Sequence, residues 1–149
     1  MNTIKKELLS NADKLNLNIL MLSDSETNEI IDSVHGKYID ISKGGSFIWE
    51  NMSDSEQIND ALGWGYTGDF VGNNPCILLF FDLNKWFAVR LHSGEDLKEL
   101  LGESFAFEFY VVDEALSYML CFSHHDQLIG AGKAKDWIKE HYNGQTWQR

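Results

Sequence analysis

The densest group of side chains that could ligate a metal or move a proton is His124-His125-Asp126. Two imidazoles and a carboxylate suit a zinc or iron site, or general acid–base work. Adjacent strand residues point to opposite faces, so His124 and His125 could share one ion only where the backbone turns. His92, at the end of another expected strand, could join them if the two strands are neighbours. The alternative metal set is therefore His92, His124, His125 and Asp126. No H-x-x-x-H, H-E-x-x-H or paired C-x-x-C spacing supplies further donors. The ordinary use of such a cluster is a strand-end turn in which Asp126 bonds local N–H groups. The expectation is a protein without metal or cofactor.

Nucleophilic chemistry has less to work with. Cys76 and Cys121 both lie in apolar, β-like runs, away from any expected helix N-terminus that would lower a thiol pKa. They read as buried free thiols. No G-x-S-x-G elbow is present. Gly63-Trp64-Gly65-Tyr66-Thr67-Gly68 has the letters of G-x-G-x-x-G. That motif needs a strand before it and a helix after it, whereas here a helix is expected before it and Asp69 follows. The readings left are a loop folded onto the core by Trp64 and Tyr66, or an exposed aromatic recognition loop.

Charge is the stronger signal. The 149 residues carry 12 Lys+Arg against 23 Asp+Glu, a formal net charge of −11. Nucleic acid and anionic membrane would be repelled by such a chain. The segment 21–69 holds ten acids and two bases, interleaved with Tyr38, Phe47, Trp49, Trp64 and Tyr66. This is either a solvated acidic face or a surface for a basic partner, in which charge speeds encounter and aromatic rings hold the complex. On the second reading the contact residues are Asp54, Glu56, Asp60, Trp64, Tyr66 and Asp69.

The elements that must position these groups follow from pattern. Ile4, Leu8, Ala12 and Leu15 give an amphipathic helix over 3–15. Ser23, Asp24 or Ser25 caps a second over 26–34, with Gly36 as its stop. Alternation at 38–41 predicts a strand, and Ser53 or Ser55 caps a short helix over 56–62. A glycine-rich loop then runs over 63–74 and is closed by Pro75. Two apolar runs, 76–81 and 86–91, make a hairpin with a four-residue loop. A helix over 95–101 starts at Ser93 and ends at Gly102. Phe105, Phe107 and Phe109 share one face of a strand, and a turn at 113–116 leads to another strand at 117–122. A short strand at 127–129 and a helix over 133–142, stopped by Gly144, complete the chain. Hairpins rather than βαβ crossovers predict a single α+β domain over 1–149, with an antiparallel sheet flanked by helices. No apolar run approaches membrane-spanning length and the first residues lack a signal-peptide core, so a cytoplasmic protein is expected.

The stretches 109–113, 118–126 and 129–132, with Trp137, resemble small bacterial proteins associated with immunity to polymorphic toxins. The resemblance implies a non-catalytic cytoplasmic inhibitor that binds a cognate toxin, often a basic nuclease domain. It transfers no catalytic residue.

Overall fold

In the computed structural model, which describes residues 3–45 and 48–142, one seven-stranded antiparallel sheet lies between two layers of helix. The result is an α+β domain. Its centre is C-terminal: β3 (Cys76–Asp82), β4 (Lys85–Leu91), β5 (Phe109–Val112), β6 (Tyr118–Phe122) and β7 (Gln127–Gly132). The N-terminal half supplies both edges, β1 (Leu20–Met21) and β2 (Ser55–Asn59), in the order β1-β4-β3-β5-β6-β7-β2.

Both faces of this sheet are covered, which is why its strands read as unbroken apolar runs rather than as alternations. Cys76, Leu78 and Phe80 of β3 enter one core with α1 (Ile4–Lys14), α3 (Gly63–Val71), α4 (Gly94–Glu103) and α5 (Lys133–Tyr142). Ile77 and Leu79 enter the other, beneath α2 (Asp24–Tyr38) and the segment carrying Ile48, Trp49 and Met52. The hairpin between β3 and β4 closes on two residues, not four. Leu83 and Asn84 take φ of 51° and 62°, the type I′ pattern that matches strand twist.

Helix starts follow the capping residues. Thr3 caps α1, Ser23 and Glu26 form a reciprocal capping box on α2, and the Ser93 hydroxyl accepts the Asp96 N–H of α4. Several expectations are overturned. Gly36 does not stop α2, which continues so that Val34 and Tyr38 bury together and the Tyr38 hydroxyl donates to Leu116 O. The strand expected at 38–41 is therefore a helix end followed by a 3-10 turn, with Ile39 keeping one bridge to Met52. The helix expected over 56–62 is strand β2, because β7 offers it a ladder from Ser55↔Ala131 to Asn59↔Gln127.

The glycine-rich loop is helix α3. Its glycines permit close approach rather than tight turning. A Cβ on Gly68 would lie 2.5 Å from Gly94 O, so α3 and the start of α4 touch backbone to backbone. Gly102 lies inside α4, and the strand of phenylalanines begins only at Phe109; residues 105–108 run unpaired over the rim of the core. The strand at 127–129 extends to Gly132. Phe47 and the stop at Gly144 lie outside the described residues.

Candidate protein-binding surface

Of the six residues expected to meet a partner, three belong to the β2 edge. Ile58 is 1% exposed among the side chains beneath α5, and the strand alternation sets Glu56 and Asp60 on its side of the sheet. Asp54, with φ 51°, turns the chain into β2, and its carboxylate accepts from Lys135 Nζ on α5. That bond holds the Asp54 carboxyl below the usual carboxylate range. Glu56 lies in the field of the same lysine.

Asp60 joins the edge to α3. One of its oxygens accepts the Leu62 N–H at 2.9 Å, and the other accepts the Tyr66 hydroxyl at 2.9 Å. The Tyr66 ring stacks on Tyr142 at 4.9 Å. Burial, then the field of Asp69, pushes the Tyr142 hydroxyl up to about 12. Asp69 pairs with Lys98 at 3.0 Å. Asp54, Glu56, Asp60, Tyr66 and Asp69 thus follow one another along β2, α5 and α3.

Trp64 departs from this set. It lies over Gly102 on the α4 side of α3 and lines an apolar hollow of about 220 Å³ with Leu101, Phe105, Phe107, Phe109 and Phe122.

The wider acidic surplus does not form one patch. Asp24, Glu26, Glu29 and Asp32 lie on α2, across the sheet from α3 and α5. There the strand registers do what spacing could not show. Ile77 sits between Arg90 and Val112, which brings Asp113 and Glu114 to the foot of α2. Two hollows of about 250 and 380 Å³ meet at Ile77, Arg90, Asp113 and Glu114. Glu26, Glu29, Asp113 and Glu114 line this groove with Leu22, Ile30 and Leu116, and its lining holds a single arginine. Arg90 pairs with Glu114, and Asp113 accepts from the Ser117 N–H and hydroxyl. Bonds from the Ser23 cap hold the Glu26 carboxyl below its ordinary value. Residues 113 and 114, which the sequence presents as plain turn carboxylates, are part of a concave acidic surface.

No family model, no curated protein and no solved structure matches this chain.

The histidine cluster has its own architecture. His124 Nδ1 lies 2.9 Å from Glu108 Oε1, and the Tyr110 hydroxyl donates to Glu108 Oε2 at 3.2 Å. The two imidazoles are 4.1 Å apart, and Trp49 meets both edge-on at 5.9 and 5.8 Å. The turn is organised by Ser123, whose hydroxyl accepts from the His125 and Gln127 N–H groups; Asp126 contributes a positive φ of 58° instead of the expected carboxylate bonds. The proposed ligand His92 follows Leu91, which pairs with Cys76, while His124 follows Phe122, which pairs with Phe109 and Leu128. Those positions are opposite ends of the sheet, so His92, His124, His125 and Asp126 do not converge. Among the described residues no three His, Cys, Asp or Glu side chains are grouped to hold a metal. Burial pushes the Cys76 thiol up to about 12 and raises Cys121 well above its ordinary value. Both cysteines are buried and free. Among the described residues no helix is long and apolar enough to cross a membrane.

Proposed function

We propose that this chain is a non-catalytic binding module for a basic protein, and most concretely an immunity-type inhibitor that occludes the cationic substrate groove of a toxin domain such as a nuclease. The supporting observation is an excess of carboxylates over cations in two places. The edge formed by β2, α5 and α3 sets Asp54, Glu56, Asp60, Asp69 and Asp136 against Lys135 and Lys139, with Lys98 of α4 beside Asp69. The groove beneath α2 sets Glu26, Glu29, Asp113 and Glu114 against Arg90. Carboxylates arrayed in this way occupy a cationic groove as phosphates would, and opposite charge accelerates docking. The likeness to toxin-immunity proteins points the same way.

The test is co-purification with a basic toxin domain from the same locus, followed by association kinetics at low and high salt. The reading expects a stoichiometric complex whose on-rate falls by an order of magnitude or more between about 0.01 and 0.15 M salt, as the Debye length contracts from about 30 to 8 Å. An on-rate indifferent to salt refutes it.

A further inference from the structure

The two edges of the sheet are closed differently. At one, β1 lies against Val89 and Arg90, the Leu22 N–H reaches Ala88 O, and Lys5 and Lys85 stand over the Phe87 ring. Lysines beside an edge are a common guard against strand addition. At the other, β2 presents five residues in continuous register, and among the described residues β7 is their one ladder partner. Alternate N–H and C=O groups of β2 therefore turn outward, a row of donors and acceptors that no other described strand fills.

The side chains along this edge restrict what can fill it. Ser55, Gln57 and Asn59 follow at two-residue spacing on one side; Gln57 and Asn59 are exposed, and no described side chain bonds any of the three. Glu56 stands on the other side, with Asp54 and Asp60 at the two ends. A second copy of this chain is a poor occupant. Antiparallel pairing about Gln57 would set Asp54 opposite Asp60 at both ends, and like charges directly opposed are destabilising. An extended segment with lysine or arginine on alternate positions brings a cation to Glu56, beside which Lys135 is already bonded to Asp54.

We infer that β2 is a docking edge. An extended basic segment of the partner adds to it as an eighth strand, with main-chain hydrogen bonds along Ser55–Asn59, a cationic side chain against Glu56 and polar side chains against Ser55, Gln57 and Asn59. This is strand addition, in which backbone bonds give affinity and alternate side chains give specificity. The inference rests on the reading that the partner is basic.

The experiment titrates the isotope-labelled full chain with a short synthetic peptide of alternating threonine and lysine, followed by amide chemical shifts. Two further peptides serve as comparisons: the same sequence N-methylated at every residue, so that neither edge of the strand can donate, and an alternating threonine–glutamate peptide. Saturable shifts centred on residues 55–59 are expected. N-methylation, which removes two or three main-chain bonds, should weaken binding about tenfold or more. Glu56→Gln should weaken it about threefold, the worth of one cross-strand charge pair. An N-methylated peptide that binds equally well overturns the docking edge, as does absence of binding by the lysine peptide. Shifts gathered instead around Glu26, Glu29 and Glu114 overturn the edge but leave the basic-partner reading standing. Equal binding of the glutamate peptide overturns both.

Discussion

Replacing Gly68 by alanine tests the contact that most changes the picture of this chain. The added Cβ would meet Gly94 O at 2.5 Å and Lys98 Cβ at 3.0 Å, and Lys98 is also the partner of Asp69. Ordinary carbon–oxygen contact begins at about 3.3 Å, so α3 and α4 must separate by about 0.8 Å. The tightest contact is with a main-chain oxygen, which cannot swing aside as a flexible side chain could. Overpacking of this kind costs about 1–3 kcal/mol, and alanine recovers about 1 kcal/mol through its higher helix propensity. A net loss of about 1 kcal/mol is expected. Gly36→Ala in α2 isolates the propensity term, because nothing lies within 4 Å of its added Cβ. That variant should gain about 0.5–1 kcal/mol. Equilibrium urea unfolding, with m unchanged between variants, should therefore place the two glycine-to-alanine changes about 2 kcal/mol apart and on opposite sides of the parent protein. If Gly68→Ala stabilises as much as Gly36→Ala, the segment 63–71 does not pack on α4 and the close-approach argument fails.

Four other outcomes follow from the same structure. Trp64→Ala should lower stability by about 2–3 kcal/mol in urea unfolding, because it enlarges the hollow beside Phe107 and Phe122; a loss below about 0.5 kcal/mol would place Trp64 outside the core. Cys76, raised to about 12 by burial, is thiolate to about one part in ten thousand at pH 8, so a thiol reagent should label the native protein only as fast as it opens. Its folded pKa lies above the unfolded value near 9, so the unfolded chain binds fewer protons in that window; stability should fall as pH rises from about 9 toward 12, and a flat profile there contradicts the burial. Leu83→Asn should stabilise by about 0.5–1 kcal/mol, because asparagine tolerates the left-handed backbone that Leu83 adopts at φ 51° and the leucine is 62% exposed; thermal unfolding unchanged or lowered would argue against the two-residue turn.

Much of the fold was legible because it is written locally. Ser23 and Ser93 each announce a helix by supplying an oxygen to otherwise unpaired N–H groups within the next turn. The apolar runs of β3 and β6, bounded by turn signals, read as buried strands, and the same runs place both cysteines in the core. Elements whose identity depends on a distant neighbour were misread. Ser55–Asn59 has the composition of a capped helix start until β7, far along the chain, offers it a ladder from Ser55↔Ala131 to Asn59↔Gln127. The glycines of α3 look like a loop until α4 is seen to need their missing side chains.

The candidate surface divides in the same way. Charge and its sign belong to composition, and no folding can alter a surplus of eleven carboxylates over cations. Where those carboxylates face is a property of the sheet. Its order carries α2 and its acids to one layer and Asp60 and Asp69 to the other, and its registers bring Arg90, Asp113 and Glu114 together from separate strands. His92 and His124 end up at opposite ends of the same sheet for that reason. Capping bonds, apolar runs and net charge act over a few residues or over the whole composition, so the sequence alone determines them. Long-range strand pairing and backbone contact between helices arise only when remote segments meet, and the tertiary structure alone decides them.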